Sequence, residues 1–143
     1  MGKIIKIGST FVIAFAVFIQ LLPFGRNHAN PPVTSEPTWD SPKTRELAVR
    51  ACFDCHSNET VWPWYSNIAP VSWLMQNDVI EGRRVLNFSD WNTTRRVRGG
   101  EIIEVSAEGE MPPASYMPLH PKAQLNSNER TDLLQGFQAT FGR

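Results

Sequence analysis

Apolar residues fill the start of this chain and turn periodic only later. From Ile7 to Phe24 the run is broken by Gly8, Ser9, Thr10, Gln20 and Pro23 alone, and Lys3 and Lys6 precede it. A helix crossing the bilayer hydrocarbon needs about 20 such residues. The two lysines predict that its N-terminus stays in the cytoplasm. The segment from Leu22 to Asn30 holds no good small-x-small cleavage site, so residues 1–25 are expected to be an uncleaved membrane anchor. A cleaved signal releasing a periplasmic protein is the alternative. Residues 26–40 read as a linker, because Asn30-Pro31-Pro32-Val33-Thr34-Ser35-Glu36-Pro37 has turn residues and no period. Its prolines favour an extended chain.

From residue 41 to 143 the pattern is helical. Ser41-Pro42 makes an N-cap and first helical residue, and Leu47, Ala48 and Ala51 share one face. Val71 to about Phe88 predicts a second helix. Leu74, Val79, Val85 and Leu86 form its stripe, Glu81, Arg83 and Arg84 its polar side, and Gly82 weakens it. A third helix is expected after a cap at Ser89 or Asn92, through Arg95, Arg96, Val97, Ile102, Ile103, Val105 and Ala107. Gly99-Gly100 interrupts it and Glu108-Gly109-Glu110 stops it. Asn126-x-x-Glu129 predicts a capping box, and Leu133, Leu134, Phe137 and Phe141 line one face of the helix that follows. Between the first two helices, Val61 to Pro70 carries two prolines and three aromatics, heavy and irregular. No strand-like alternation and no repeat occurs, so the soluble part is expected to be all-α.

Composition narrows this picture. The 143 residues carry 14 basic and 14 acidic side chains, which gives no reason to expect nucleic acid as a partner. Five tryptophans and eight phenylalanines predict a core that leans on aromatics, or one that wraps a large flat ligand. Buried tryptophans and tyrosines also need partners for their donors. A domain this small gains from a covalent cofactor.

The only two cysteines lie in Cys52-Phe53-Asp54-Cys55-His56. C-x-x-C-H is the attachment pattern of a c-type haem. Its spacing sets two thiols on one side of a helical turn for two vinyl groups, and the histidine can turn onto the iron. A zinc half-site would need two further ligands, and His56 lies too close to Cys55 for finger spacing. A thioredoxin-like pair lacks its βαβ surroundings, and a simple disulfide is the remaining alternative, while the attachment of haem outside the cytoplasm makes the export segment support the haem reading. For the other face of the iron, Met111 precedes Pro112-Pro113 on what should be a stiff, extended strap. A Met/His pair raises the haem potential, as in electron carriers. Met111 is therefore the expected sixth ligand. His120 before Pro121 is the alternative sixth ligand, Met117 before Pro118 is another, and an open iron is a fourth possibility. Arg83 and Arg84 are candidate partners for haem propionates by charge. Asp54 and Glu110 suggest only surface roles.

The chain resembles the exported bacterial single-haem "haem-binding domain" family. The resemblance lies in Cys52-Phe53-Asp54-Cys55-His56-Ser57-Asn58, in Trp62-Pro63-Trp64-Tyr65-Ser66-Asn67-Ile68-Ala69-Pro70-Val71-Ser72-Trp73-Leu74, in Glu81-Gly82-Arg83-Arg84 and in Asn87-Phe88-Ser89. It continues in Gly109-Glu110-Met111-Pro112-Pro113 and in Leu119-His120-Pro121-x-Ala123-x-Leu125. It implies a small cytochrome c-like helical fold, with one haem c bound covalently at Cys52 and Cys55 and His56 as proximal ligand. The expectation is then a single-pass protein of the cytoplasmic membrane whose C-terminal domain lies in the periplasm. It would be a single-electron carrier meeting unidentified redox partner proteins, and not an enzyme. A haem sensor or peroxide-reactive haem protein with an open or weakly held sixth site is the competing expectation.

Overall fold

A computed structural model describes residues 2–94 and 98–142. Its elements in chain order are α1 (Gly2–Gln20), α2 (Pro42–Ala51), the short α3 (Phe53–His56), α4 (Val71–Val85), the short α5 (Trp91–Thr94), α6 (Gly99–Glu108) and α7 (Ser127–Phe141). Turns of 3-10 helix occur at Trp64–Asn67, Met117–Leu119 and Pro121–Ala123. Among the described residues there is no strand. The nearest thing is a lone bridge between Ser35 and Asp90, so the helical class expected from the pattern holds.

The chain forms two compact units that are not consecutive in sequence. The first comprises Met1–Ala29 and Trp62–Asp78, the second Asn30–Val61 and Val79–Arg143. In the first unit α1 is apolar on all sides. Its large side chains from Ile5 to Phe18 are exposed and only Ile19 is buried. Among the described residues no helix is long and apolar enough to cross a membrane. The 19 residues of α1 rise about 28 Å, short of the hydrocarbon thickness of about 30 Å, and Lys3 and Lys6 occupy its first turns. The spanning helix expected from the sequence is therefore without structural support. At its end, Gln20 clamps the peptide of Ala69. Its Nε2 donates to the Ala69 carbonyl at 2.9 Å and its Oε1 accepts from the Ala69 N–H at 3.0 Å. His28 stacks on Trp62 with ring centroids 4.4 Å apart. Gly25, at φ 73°, lets the chain pass against the backbone of Ser72 and Trp73, where a side chain would collide. Trp62 Nε1, Ser72 Oγ and Trp73 Nε1 are buried without a partner among the described residues. The need for donor partners anticipated from the sequence is thus left unmet, among the described residues, at Trp62 and Trp73.

The second unit has the main core, formed by Leu47, Ala48, Phe53, Leu86, Phe88, Ile102, Leu133, Phe137 and Phe141. Phe53 and Phe88 stack at 5.5 Å, and Trp39 packs on both. The caps are as the sequence predicts. Ser41 accepts from the Thr44 N–H at 3.2 Å. Asn126 and Glu129 form the reciprocal capping box of α7. The third helix differs from expectation. Gly99-Gly100 begins α6 instead of interrupting it, because a side chain at Gly99 would run into the Phe141 backbone. The glycine is there for close approach to α7. Arg95, Arg96 and Val97 lie outside the described residues. Gly109, at φ 77°, ends α6 as expected.

Candidate functional site

The attachment segment begins where α2 ends. The Cys52 N–H closes α2 on the Ala48 carbonyl at 2.8 Å, and α3 then turns through Phe53 to His56. Each side chain of the motif leaves in a different direction. Phe53 is buried in the core, which fixes the turn by roughly 1.5–3 kcal/mol of apolar burial. Asp54, expected to be a surface residue, is a tie. Its Oδ1 accepts from the Val61 N–H at 2.9 Å and its Oδ2 from the Tyr116 hydroxyl at 2.6 Å. Cys52 lines a cleft. Neither cysteine is in a disulfide. Burial, with Cys55 nearby, pushes the Cys52 thiol up to about 12, so it is a neutral thiol at neutral pH.

His56 is the best-defined member. Its Nδ1 lies 3.0 Å from the Gly82 carbonyl and 3.1 Å from the Leu86 carbonyl. Carbonyl oxygens only accept, so Nδ1 carries the hydrogen and Nε2 carries the lone pair. Burial outweighs the two carbonyl bonds and lowers the pKa of the ring, so the imidazole is neutral. A backbone carbonyl holding the non-ligating nitrogen is the usual support of a metal-bound histidine. Gly82, read from the sequence as a weak point in α4, is required here. A Cβ at Gly82 would strike the Cys55 backbone.

The loop behind the motif also differs from its polar appearance. Ser57, Asn58 and Thr60 are buried. Ser57 Oγ donates to the Phe53 carbonyl, Asn58 N–H to Ser89 Oγ, and Thr60 Oγ1 to the Asp54 carbonyl. Asn87 Nδ2 donates to Asn58 Oδ1 at 2.9 Å. Arg83 is spent on this loop, reaching the Ser57 carbonyl, Thr60 Oγ1 and Asn30 Oδ1. Arg84 pairs with Glu81 at 2.5 Å. Neither arginine lines the cleft described next.

The cleft, of about 230 Å³, is lined by Cys52, Met111 and Met117 together with apolar groups such as Leu125, Leu133 and Leu134. His120 and His56 are not in its wall. Met111 lies two residues after Gly109, the cap of α6. Its N–H, like that of Glu110, bonds the Val105 carbonyl, at 3.2 Å. Its backbone is thus tied to the end of α6, and Met111 is 41% exposed. The Met111–Pro112 peptide is cis. His120 stacks on Tyr116 with centroids 3.6 Å apart and donates from Nδ1 to the Tyr116 carbonyl at 2.8 Å. A larger open hollow of about 420 Å³ lies beside Gly100 and Phe141 but has no thiol, thioether or imidazole in its wall.

The donor set fits a c-type haem. It has two thiols at the required spacing, an imidazole in the ligating tautomer and two thioethers over an apolar floor. The cleft, at about 230 Å³, is below the roughly 300–1,000 Å³ of small-molecule sites. Sequence reasoning missed Gly82, Leu86 and Tyr116. The first two act through backbone carbonyls, which leave no signature in side-chain chemistry. Among the described residues no group of three or more His, Cys, Asp or Glu side chains could hold a lone metal ion.

Comparison with known proteins agrees with the donor set. The model of a family described as a haem-binding domain matches residues 14–139. No curated protein and no solved structure gives a significant match.

Proposed function

Because the chain belongs to the haem-binding domain family, we propose that it is an exported, membrane-attached carrier of one covalently held haem, passing single electrons to protein partners. The observation that carries this reading is the His56 ring, held by the Gly82 and Leu86 carbonyls with Nε2 left for iron, inside a C-x-x-C-H turn. Bound haem would supply a metal that changes by one electron. Cys52 and Cys55 would hold the macrocycle and His56 would be the proximal ligand. Met111 is the sixth ligand in this reading. It shares the cleft with Cys52, as Met117 does and His120 does not. The Asp54–Tyr116 hydrogen bond holds the loop between Met111 and His120 to the attachment turn.

Attachment to the outer face of the cytoplasmic membrane rests on α1. Its large apolar side chains are exposed. Its Ser9 and Thr10 hydroxyls donate to the Ile5 and Lys6 carbonyls, which is how a polar group is satisfied in lipid. The exposure of Met111 favours a second reading, a sensor or peroxide-reactive haem with a weakly held sixth site.

Absorption spectra of the haem-loaded full chain separate the two. The carrier reading expects a ferric Met–iron charge-transfer band, lost in Met111→Ala and kept in Met117→Ala and His120→Ala, and no carbon monoxide binding by the ferrous wild type. Rapid carbon monoxide binding by the wild type would establish the second reading instead. A band lost only in Met117→Ala would move the ligand to that residue.

A further inference from the structure

The unit made of Met1–Ala29 and Trp62–Asp78 has an exposed apolar surface outside the cleft that Cys52 and Met111 line. Trp64 is 76% exposed and Leu74 65% exposed, and Ile68 and Val71 are exposed beside them in sequence. These four lie more than forty residues beyond α1, so an export signal does not explain them. The structure nevertheless fastens their segment to the foot of α1. Gln20, the last residue of α1, holds the Ala69 peptide through both of its amide atoms. The Asn27 N–H donates to Gln76 Oε1 at 3.0 Å, and Gly25 lies on the Ser72–Trp73 backbone. Arg26 donates from Nη2 to the Gln20 carbonyl at 2.7 Å, placing a cation at this same end of α1.

We propose that the 62–74 segment is a second lipid-contacting surface, which with α1 seats this unit in the headgroup region of a bilayer containing anionic lipid. Three observations select lipid over a protein partner. The unit's only acidic residue is Asp78, at its last position, against Lys3, Lys6 and Arg26. Such a charge balance suits an anionic surface. The exposed groups are of the type that settles at bilayer interfaces, a tryptophan edge-on to a tyrosine (Trp64 and Tyr65, centroids 5.7 Å apart) with aliphatic neighbours. The surface is also joined to α1 through Gln20 and Ala69; α1 exposes large apolar side chains from Ile5 to Phe18 yet is short of a full span, and an interfacial seat buries both. The inference rests on the membrane attachment proposed above and extends it from α1 to a segment remote in sequence.

The test uses the haem-loaded full chain in phosphatidylcholine–phosphatidylglycerol vesicles carrying a phospholipid with a diazirine near its headgroup. After irradiation, labelled peptides are mapped by mass spectrometry. Adducts are expected on both α1 and the 62–74 segment. Trp64→Ser with Leu74→Ser should cut labelling of 62–74 at least about fivefold, leaving labelling of α1 and the haem spectrum unchanged. Labelled α1 with an unlabelled 62–74 segment overturns this inference while keeping the attachment. An unlabelled α1 overturns the attachment itself. Cross-links between copies of the chain through Trp64 or Leu74 assign the surface to a second copy. A haem spectrum altered by the double substitution, with labelling unchanged, assigns it to the cofactor. Either result overturns the lipid reading.

Discussion

Gly82 ties the chemistry of His56 to the packing of α4. Its carbonyl accepts from Nδ1 and its missing side chain admits the Cys55 backbone. A glycine-to-alanine change inside a helix ordinarily stabilises by about 1 kcal/mol. Gly82→Ala should instead destabilise by about 1–3 kcal/mol through overpacking, measured by urea unfolding, and unchanged or raised stability would refute the close approach. Glu36 tests the electrostatics of the same unit. Arg45 holds it through two bonds, at 2.7 and 2.6 Å, and Trp39 Nε1 adds a third at 2.9 Å. The Arg45 hydrogen bond leads in lowering the Glu36 pKa below 4.5. A lowered folded-state value means that the stabilisation is complete above the ordinary value and drains away as pH falls through the lowered one. Arg45 is partly exposed, so solvent screening limits the effect to about 1 kcal/mol. Unfolding free energies measured at about pH 6 and about pH 3 should therefore fall more for the wild type than for Glu36→Gln. Parallel falls would show that the pair contributes nothing.

Between elements, the contact of α2 with α7 depends on Gly136, where any side chain would collide with that of Thr44. Gly136→Ala is expected to cost about 1–3 kcal/mol and to lower the thermal midpoint, against the helix-propensity gain. A raised midpoint would mean that the two helices pack more loosely than described. These elements show what a sequence discloses. The Ser41 and Asn126 caps were legible because capping joins residues three apart. Gly99 was misread because its reason, Phe141, lies on another helix. Ser57 to Thr60 read as a polar loop because their partners come from Asn30, Pro32, Arg83, Asn87 and Ser89, all distant in sequence. Met111 was named from the sequence as the expected sixth ligand, and it lies in the wall of the cleft. Its attachment to the Val105 carbonyl was not legible, because that bond belongs to the end of α6.

Across the whole molecule, the division into two units falls just before the tryptophan-rich segment, at Trp62, and within α4, after Asp78. What the sequence did carry was the chemistry, since thiol spacing and an adjacent histidine are local facts. The apolar start of the chain was equally plain, yet α1 is about 28 Å long and falls short of a span. Membrane attachment is therefore argued from what α1 and the 62–74 segment expose, and haem binding from what the second unit encloses. The claim on which the proposed function depends most is a haem fixed to Cys52 and Cys55. Acid–acetone extraction of the haem-loaded full chain, followed by a pyridine haemochrome spectrum of the protein pellet, tests it most directly. The haem should stay with the wild-type protein and give a spectrum of two thioether linkages, and Cys52→Ala with Cys55→Ala should release it. Haem that extracts completely from the wild type would contradict covalent attachment.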